Sequence, residues 1–452
     1  MQVADVEKLI AEQEIEVVQV GGADMDGVFR GKRILSEYFL DGCRGDGFPQ
    51  CSVIFGWDIA EELISGLALG SAETGYGDII MQPDLSTFRA VPWEAGCASI
   101  ICDYAHEDGR PLAQSPRQVL RRVLDRAAGA GYRARMAVEL EGRLFREDPN
   151  SLREKGYHGL QPLSPGLNCY SIRHASQDED VLGTMRRLLI EYGLPIEGYH
   201  REHGEGMYEF NIRYGDALAA ADQALLYKSA SKEIAAEAGV VPTFMAKYDD
   251  LVDGCSGHTH QSLWSPDGET NLFWQADAPQ HTSDVMQAYA AGVLATLPEF
   301  TLMYAPNVNS YKRFVAGSWA PISVTWGVEN RTAALRLITA SANGCRIENR
   351  VPGADVNSYL GFAATLAGGL YGLEQGLTCP PPVEGDAYRA TEAPPLPRSL
   401  GDAVERFSAS AVARDYFGDE FVDHYARMRR WEVEQFGQAV TDWERRRYFE
   451  QV

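Results

Sequence analysis

The sequence is short of positive charge for its length of 452 residues. It holds 41 lysines and arginines against 64 aspartates and glutamates, which gives a formal net charge of −23 at pH 7. A nucleic-acid-binding protein needs a basic surface, so this deficit argues against such a partner. The excess of acid favours a soluble cytoplasmic protein and is also compatible with a cleft that attracts cations.

Signals for disulfides, membranes and secretion are absent as well. The eight cysteines form no Cys-x-x-Cys pair, and their wide spacing predicts reduced thiols in the cytosol rather than a disulfide framework. No apolar run approaches the roughly 20 residues of a membrane helix. Residues 1–7 lack the apolar segment of a signal peptide. We therefore expect a cytoplasmic location and no membrane partner.

The phosphate-binding loop Gly-x-x-x-x-Gly-Lys-[Ser/Thr] is also missing, so a nucleotide would have to be held by other groups. Three arginines in one region, Arg331, Arg336 and Arg346, are candidates because a guanidinium matches the geometry of phosphate. Surface salt bridges are the alternative role for each of them.

The length predicts two or three domains. Predicted strands dominate up to residue 106, and Asp-Gly-Arg-Pro at 108–111 indicates a linker. Helices and strands are mixed in the remainder. We predict an α+β fold with a small sheet domain at 1–106 and a larger mixed domain at 107–452.

Periodicity and capping residues predict the main elements. The predicted strands are 16–20, 51–55, 97–103, 135–141, 258–264 and 333–339. The predicted helices are 5–14, 116–129, 177–193, 216–239, 284–304 and 357–376, followed by a helical tail over 400–450.

Three stretches carry charged or imidazole side chains two residues apart. The pairs are Glu139 with Glu141, His258 with His260, and Glu348 with Arg350. Side chains alternate along a strand, so both members of a pair face the same side. A solvated face is the simple explanation for any one pair. The apolar residues between and around them instead indicate core strands, in which a charge must be paired or must bind metal.

Two further glutamates, Glu202 and Glu209, flank the sequence Gly-Glu-Gly at 204–206, where glycine allows close approach to a ligand. The candidate ligands are then five glutamates and one histidine: Glu139, Glu141, Glu202, Glu209, Glu348 and His258. Oxygen-rich donors of this kind suit Mg²⁺ or Mn²⁺ better than zinc. Such a site fits the phosphates of a nucleotide.

Read in order, the motifs resemble the glutamine synthetase family, and within it the glutamate–amine ligase branch. The matching blocks are DGVFRGK at 26–32, MQPDLST at 81–87, ELE at 139–141, GMYE at 206–209, FMAK at 244–247, GHTHQSL at 257–263, NSYKR at 309–313 and RIENRVP at 346–352. The resemblance covers essentially the whole chain. It implies a β-grasp-like N-terminal domain and a catalytic domain with an antiparallel sheet and helices.

The resemblance also implies roles for individual residues. One metal ion would be bound by Glu141, Glu202 and Glu209, and another by Glu139, His258 and Glu348, with two or three Mg²⁺ or Mn²⁺ ions per site. Glutamate would contact Gly254, His258, Arg313 and Arg350. ATP would contact His260, Ser262, Arg331, Arg336 and Arg346. The catalytic residues would be Arg313, Arg331, Glu139 and Glu141.

The implied reaction joins the γ-carboxylate of glutamate to an amine through γ-glutamyl phosphate, with ATP as the co-substrate. The implied assembly is a dodecamer of two hexameric rings, in which neighbouring subunits share each active site. A non-catalytic scaffold is a remote alternative, because all six metal-ligand positions are occupied by suitable residues.

Two departures from the family pattern bear on the amine. Pro49 stands where ammonia-using members have an aspartate, and Trp319 stands where they have the glutamate of a flexible loop. A carboxylate attracts ammonium and can take its proton, whereas tryptophan offers a large apolar wall. We predict an amine pocket formed by Pro49, Trp57 and Trp319 that favours alkyl, hydroxyalkyl or aromatic monoamines.

Several alternatives stay open at this point. A polyamine would need a carboxylate from Asp58, Glu61 or Glu62, and an ordinary glutamine synthetase would use ammonia. Trp319 could be a core aromatic, and Pro49 could reflect a shifted loop alignment. Asp253 replaces the usual asparagine near glutamate. The base that deprotonates the amine is not identified, with Asp58 as one candidate.

Overall fold

The computed structural model describes all 452 residues of the chain. Its strands are β1 Val17–Ala23, β2 Phe29–Leu35, β3 Phe48–Cys51, β4 Asp78–Pro83, β5 Arg89–Ala90, β6 Cys97–Ala105, β7 Arg133–Phe145, β8 Ile196–Arg201, β9 Met207–Ile212, β10 Gly215–Asp216, β11 Val241–Thr243, β12 Gly257–Trp264, β13 Trp326–Val328, β14 Leu335–Ile338 and β15 Arg346–Asn349. Its α-helices are α1 Val3–Glu12, α2 Ser36–Arg44, α3 Pro116–Gly129, α4 Pro149–Glu154, α5 Ile172–Gln177, α6 Glu179–Glu191, α7 Ala217–Glu237, α8 Asp284–Tyr304, α9 Ser358–Gln375, α10 Leu400–Ala409, α11 Ala411–Phe417, α12 Asp419–Gln438 and α13 Asp442–Tyr448.

The strands form two separate sheets. The first has the order β2-β1-β6-β4-β3, with β5 paired to β6, and it uses only strands from the first 105 residues. The second has the order β13-β14-β15-β12-β7-β9-β8, with β10 and β11 also paired to β7. The central strand β7 is long enough to hold several partners along its length. The α+β prediction is confirmed, and the larger sheet is antiparallel except where β13 meets β14.

Two buried helices, α8 and α9, pack against each other behind the second sheet. Both are apolar on all sides, in keeping with a position inside the protein. Small residues allow them to approach closely. A Cβ added to Gly292 would lie 2.2 Å from the carbonyl oxygen of Gly368 and 2.3 Å from the backbone nitrogen of Gly372. A larger side chain at this crossing would push the helices apart.

Buried polar contacts join the first sheet to the remainder of the chain. Arg117 on α3 donates to Asp103 at 2.9 Å and to Asp84 at 2.8 Å, both in the N-terminal part, and to Asp222 on α7 at 2.9 Å. Arg117 is buried, so its charge needs these carboxylates. The first sheet is therefore held firmly against the second part, and the domain boundary at residue 106 remains a prediction.

The predicted helices are present within a few residues of their expected ends, and so are five of the six predicted strands. The strand prediction at 51–55 was wrong. Residues Ser52–Phe55 form a turn of 3₁₀ helix, and the strand lies just before it at β3. A short apolar run cannot distinguish a strand from a buried turn by pattern alone. None of the helices combines the length and apolar character needed to cross a membrane.

Candidate active site

Four neighbouring strands of the second sheet bring five of the six predicted metal ligands to one face. The cross-strand pairs are Glu139 with His258, His260 with Glu348, and Glu141 with Glu209. Directly opposite residues project to the same side of a sheet. The period-two spacing and the strand register together gather side chains that lie more than 200 residues apart in sequence.

One group of ligands surrounds Glu139. Its Oε1 lies 2.7 Å from Nε2 of His260, and its Oε2 lies 3.2 Å from Nδ1 of His258. Nδ1 of His258 is also 3.3 Å from Oε1 of Glu348. The three residues predicted for this metal ion are therefore adjacent. His260, predicted to contact ATP, lies among them.

The second group contains Glu202 and Glu209, as predicted, and His200 lies beside them. Nε2 of His200 lies 2.8 Å from Oε1 of Glu202 and 3.9 Å from Oε2 of Glu209. Glu141, the third predicted ligand, lines the same cavity, and its Oε2 accepts a hydrogen bond from the backbone N–H of Ser256. His200 was missed by the sequence analysis. Its spacing of two residues before Glu202 at the end of β8 is the signal that could have found it.

The two groups differ in electrostatic balance. Burial and the charges of Glu139, Glu141 and Glu202 raise the pKa of Glu209 to about 10. Burial and Glu202 raise the pKa of Glu141 to about 7. Neighbouring carboxylates repel one another when all are ionised, and a bound cation relieves this repulsion. The second group therefore has the stronger need for a positive ion.

Hydrogen bonds from imidazoles and a nearby arginine already stabilise the carboxylates of the first group. Burial alone would raise the pKa of Glu139, but His260 and His258 outweigh it and hold that pKa well below its usual range. The same balance, with His258 and Arg350 against burial, lowers the pKa of Glu348. Burial and the nearby Arg350 lower the pKa of His258 to about 4, so its ring is neutral and able to bind metal.

Both groups are rich in carboxylate oxygen and include imidazole nitrogen, which fits a divalent cation such as Mg²⁺ or Mn²⁺. The raised pKa values give a test. Without a cation, Glu209 keeps its proton at neutral pH and Glu141 is partly protonated, since their pKa values lie above the ordinary 4.5. A binding cation must displace these protons.

We expect Mg²⁺ binding near neutral pH to release between about one and two protons per chain, and the apparent affinity to rise as pH increases toward about 10. Calorimetric titration in buffers of different protonation enthalpy measures both quantities. The affinity should rise with pH because the raised pKa values leave protons on Glu141 and Glu209 at neutral pH. At higher pH these protons are already lost and no longer compete with the cation. Binding without proton release, or with affinity that falls as pH rises, would contradict this account of the second group.

The residues expected to contact glutamate lie beside the metal-ligand groups. Arg313 is buried, and its guanidinium donates to the backbone carbonyl of Val351 at 3.0 Å. Arg350 bonds to Glu348, while its buried Nε has no partner within the chain. An unpaired guanidinium N–H in this position is suited to a substrate carboxylate. A Cβ on Gly254 would lie 2.8 Å from Cγ of Arg313, so only glycine leaves room there.

Gly204 serves a different purpose from the one predicted. A Cβ on Gly204 would lie 2.6 Å from Nη2 of Arg143, a buried residue of the chain itself. That guanidinium donates to the carbonyls of Glu205 at 2.7 Å and Asp253 at 2.8 Å. Arg143 therefore ties together two loops that edge the site. The close approach is to Arg143 rather than to a ligand.

Two cavities adjoin at the metal-ligand groups. The larger, about 600 Å³, is lined by both groups together with Arg313, Arg350, Arg331 and Arg336. The smaller, about 310 Å³, is lined by the other three residues predicted for ATP, His260, Ser262 and Arg346. Glu139 and Asn211 border both cavities. A substrate in one cavity and a nucleotide in the other would meet at Glu139.

The predicted phosphate-side arginines are thus divided between the cavities. Arg336 donates to Glu348 at 3.0 Å and to Glu329 at 3.0 Å, which fixes its guanidinium beside the first metal-ligand group. Arg346 donates from Nε to Nδ1 of His260 at 3.0 Å. This hydrogen bond leaves the proton of His260 on Nε2, the atom that meets Glu139.

Trp319 lines the larger cavity, as predicted for a residue of the amine pocket. Its side chain is 56% exposed, which rules out the alternative of a core aromatic. Its φ of 62° lies in the left-handed region, where a residue other than glycine carries a cost of about 1 kcal/mol. A second aromatic residue, Tyr170, lines the same cavity and is 68% exposed. Sequence reasoning did not identify Tyr170.

Pro49 and Trp57, the other two predicted pocket residues, do not line this cavity within one chain. Pro49 lies on β3 of the first sheet, and its carbonyl accepts a hydrogen bond from Lys32 at 2.6 Å. The centre of the Trp57 ring lies 5.1 Å from Cζ of Arg30, so the guanidinium covers the indole. Asp58, the candidate base, has Oδ1 occupied by the backbone N–H groups of residues 60 and 62.

Comparisons with known proteins agree with this arrangement. Residues 113–448 match the family model described as glutamine synthetase, catalytic domain. The glutamate–isopropylamine ligase of a Pseudomonas species is 41% identical over 99% of this chain and 98% of its own length. The gamma-glutamylethanolamide synthetase GlnA4 of Streptomyces coelicolor is 41% identical over 100% of this chain and 96% of its own. A solved structure titled GmaS/ADP complex superposes with a TM-score of 0.84 at 28% identity, covering 98% of each chain.

Proposed function

The chain belongs to the glutamine synthetase family, and we propose that it joins the γ-carboxylate of glutamate to a small primary monoamine in an ATP-dependent ligation. The observation that carries the choice of amine is the cavity wall at Trp319. An exposed indole stands where a carboxylate would be needed to attract ammonium. Relatives named for isopropylamine and for γ-glutamylethanolamide support a small amine.

The proposed chemistry has two steps. An oxygen of the glutamate γ-carboxylate attacks the terminal phosphorus of ATP, and ADP leaves. The amine nitrogen then attacks the acyl carbon of γ-glutamyl phosphate, loses a proton, and phosphate leaves. Two or three divalent ions, Mg²⁺ or Mn²⁺, would neutralise phosphate charge and polarise the carboxylate when bound. They would be held by Glu139, His258 and Glu348 on one side and by Glu202, Glu209 and Glu141 on the other.

The protein itself contributes positioning and charge. Arg313 and Arg350 offer guanidinium groups to the carboxylates of glutamate. Arg336 is held in place by Glu329 and Glu348 and stands ready to meet phosphate oxygens. Arg331 is exposed on the wall of the larger cavity, where it can follow the charge that develops on the transferred phosphoryl group. The indole of Trp319 and the ring of Tyr170 offer apolar surface to the amine substituent.

An amine panel tests the proposal directly. Phosphate release is measured with glutamate, ATP and Mg²⁺ in the presence of ammonium, isopropylamine, ethanolamine, benzylamine or putrescine. We expect kcat/KM for the best monoamine to exceed that for ammonium by at least about a hundredfold, or roughly 3 kcal/mol.

Each other result identifies an alternative. Preference for ammonium indicates an ordinary glutamine synthetase, and preference for putrescine indicates a polyamine ligase that uses Asp58, Glu61 or Glu62. Absence of turnover together with absence of metal-dependent ATP binding indicates a scaffold.

The proposed assembly is a dodecamer of two hexameric rings whose neighbouring chains complete each site. The separation of Pro49 and Trp57 from the cavity of their own chain supports this arrangement, because a neighbour could then supply them. Subunit mixing tests it. We expect chains with Glu139→Ala and chains with Trp57→Asp each to be inactive alone. In randomly mixed rings, about a quarter of the sites should be active, because these sites combine an intact Glu139 from one chain with an intact Trp57 from its neighbour. Mixed rings of verified composition that remain inactive would contradict sharing.

A further inference from the structure

We propose that a third cavity, away from the metal-ligand groups, binds a small carboxylate that carries an apolar group. The turn between β1 and β2, at residues 25–29, forms one wall of this cavity, and helix α7 forms another. We call it the hairpin cavity. Its volume is about 490 Å³, and it shares no lining residue with the two cavities of the active site. The inference therefore goes beyond the proposed ligation and does not depend on it.

Two lysines on α7 line the hairpin cavity without an acidic partner. Lys228 and Lys232 are four residues apart on this helix, so their side chains lie on the same face. The ammonium of Lys228 donates to the backbone carbonyl of Val356 at 2.8 Å, and the ammonium of Lys232 has no partner within the chain. Like charges at this spacing repel each other, and an anion bound between them would relieve the repulsion.

The carboxylates around the hairpin cavity are bonded to other groups. Four acidic residues line it: Asp26, Glu233, Asp355 and Glu432. They accept hydrogen bonds from an arginine, an indole N–H, a side-chain amide and a backbone N–H, respectively. None of them lies within 4.0 Å of the ammonium nitrogen of Lys228 or Lys232. The two lysines are therefore the charged groups of the cavity that a ligand can pair.

The surroundings of Lys228 make an unpaired cation costly. Lys228 is half-buried, and its Nζ lies 5.8 Å from the centre of the Phe244 ring. Burial, together with repulsion from Lys232, lowers the pKa of Lys228 to about 7, although the carboxylate of Asp355 opposes the shift. A carboxylate bound beside Lys228 would favour its charged form again and would gain an ion pair away from bulk water.

Apolar side chains beside the lysines indicate the rest of the ligand. Met25, Val28 and Phe29 line the cavity from the hairpin, and Leu225 and Met245 line it from the second part of the chain. An aliphatic or aromatic group would bury these surfaces, whereas an inorganic anion would leave them in water. Phosphate is matched best by the forked guanidinium of arginine, and no arginine lines this cavity. The lining therefore favours a carboxylate with an apolar body.

The hairpin cavity lies close to the glutamate-contacting residues without opening into their cavity. Asn309 lines it and belongs to the same 3₁₀ turn as Arg313, at Val308–Arg313. The side chain of Asn309 accepts from the backbone N–H of Lys247 at 2.9 Å and donates to its carbonyl at 2.8 Å. A carboxylate in the hairpin cavity would contact this turn and leave the glutamate site free. We therefore expect it to bind together with glutamate.

Calorimetric titration of the assembled enzyme with hexanoate and with phenylacetate tests the proposal without measuring turnover. Saturating glutamate, ADP and Mg²⁺ occupy the active site during the titration. We expect at least one of the two probes to bind with a Kd of about 1 mM or below, and omission of glutamate to change this Kd by less than about twofold. Hexanamide lacks the charge and acetate lacks the apolar body, so each should bind at least about tenfold more weakly.

Single substitutions locate the bound probe. Lys228→Gln and Lys232→Gln each remove one charge and keep a polar side chain, and each should raise the Kd of the better probe at least about fivefold. Met245→Gln should weaken the same probe about threefold, because it removes apolar surface from the wall. Lys8→Gln is the matched control. Lys8 is an exposed lysine on α1 that pairs with Glu12, so this variant should leave the Kd unchanged.

Several outcomes would overturn the proposal. They are displacement of the probe by glutamate, an equal Kd in the wild type and in both lysine variants, tighter binding of inorganic phosphate than of either carboxylate, and no binding of either probe up to about 10 mM. If Lys228→Gln fails to assemble, Lys232→Gln supplies the measurement, because it changes an exposed side chain. Failure here leaves the proposed function untouched, since the amine panel contains neither probe.

Discussion

Glu139→Ala should lower kcat/KM for ligation at least about a thousandfold, equivalent to roughly 4 kcal/mol of transition-state stabilisation. Glu139 contacts both His258 and His260 and borders both cavities, so it occupies the junction of the proposed glutamate and ATP sites. Alanine removes a proposed metal ligand and the carboxylate that contacts two imidazoles. His258→Ala should have a similar effect because it removes the ligand opposite Glu139 in the sheet.

The measurement is steady-state phosphate release at saturating Mg²⁺ with the preferred amine. Glu139→Gln is the closer variant, because it keeps the shape and removes only the charge. Glu154→Ala, which changes an exposed glutamate at the end of α4, is the matched control and should leave turnover unchanged. Thermal unfolding without metal shows whether each variant is folded. A folded Glu139→Ala enzyme that keeps more than about a tenth of its activity would mean that the metal site has been misassigned.

Trp319→Glu should shift specificity toward ammonium, with the ratio of kcat/KM for ammonium to that for the preferred amine rising about 10- to 100-fold. Glutamate restores a carboxylate that attracts a small cation, and it removes the apolar wall that contacts an alkyl or aromatic substituent. Because Trp319 is 56% exposed, the substitution leaves no cavity in the core, and we expect little change in stability.

Trp319→Phe is the control that separates charge from bulk. It keeps an aromatic wall without a carboxylate and should retain the preference for the larger amine. Both substitutions keep a side chain at a position with φ of 62°, so the backbone cost is similar in the wild type and the variants. An identical amine profile in the wild type, Trp319→Glu and Trp319→Phe would place the amine elsewhere.

Much of the site could be predicted because the relevant information is local. The spacing of two residues in Glu139-Leu140-Glu141 and His258-Thr259-His260 requires both polar side chains to share a face of a strand. The apolar neighbours indicate that these strands lie in the core. The ordered motifs indicated the family, and the match over residues 113–448 together with two relatives at 41% identity confirms that prediction.

Contacts that depend on the pairing of distant strands could not be predicted from the local sequence. The pairing of β8 with β9 places His200 opposite Glu209. The backbone N–H of Ser256 donates to Oε2 of Glu141, a contact that residue spacing does not predict. The role of Gly204 depended on the buried Arg143, which lies about 60 residues earlier in the chain.

The sequence by itself determined the types of ligand, the face on which each lies, the family and the absence of a carboxylate at position 319. Only the tertiary structure decided that Trp319 is exposed on the cavity wall, that His200 lies beside Glu202 and Glu209, and that Pro49 and Trp57 lie apart from the cavity of their own chain. The reason is physical. Alternation along a strand follows from backbone geometry within a few residues, whereas strand register and exposure depend on the packing of the whole chain.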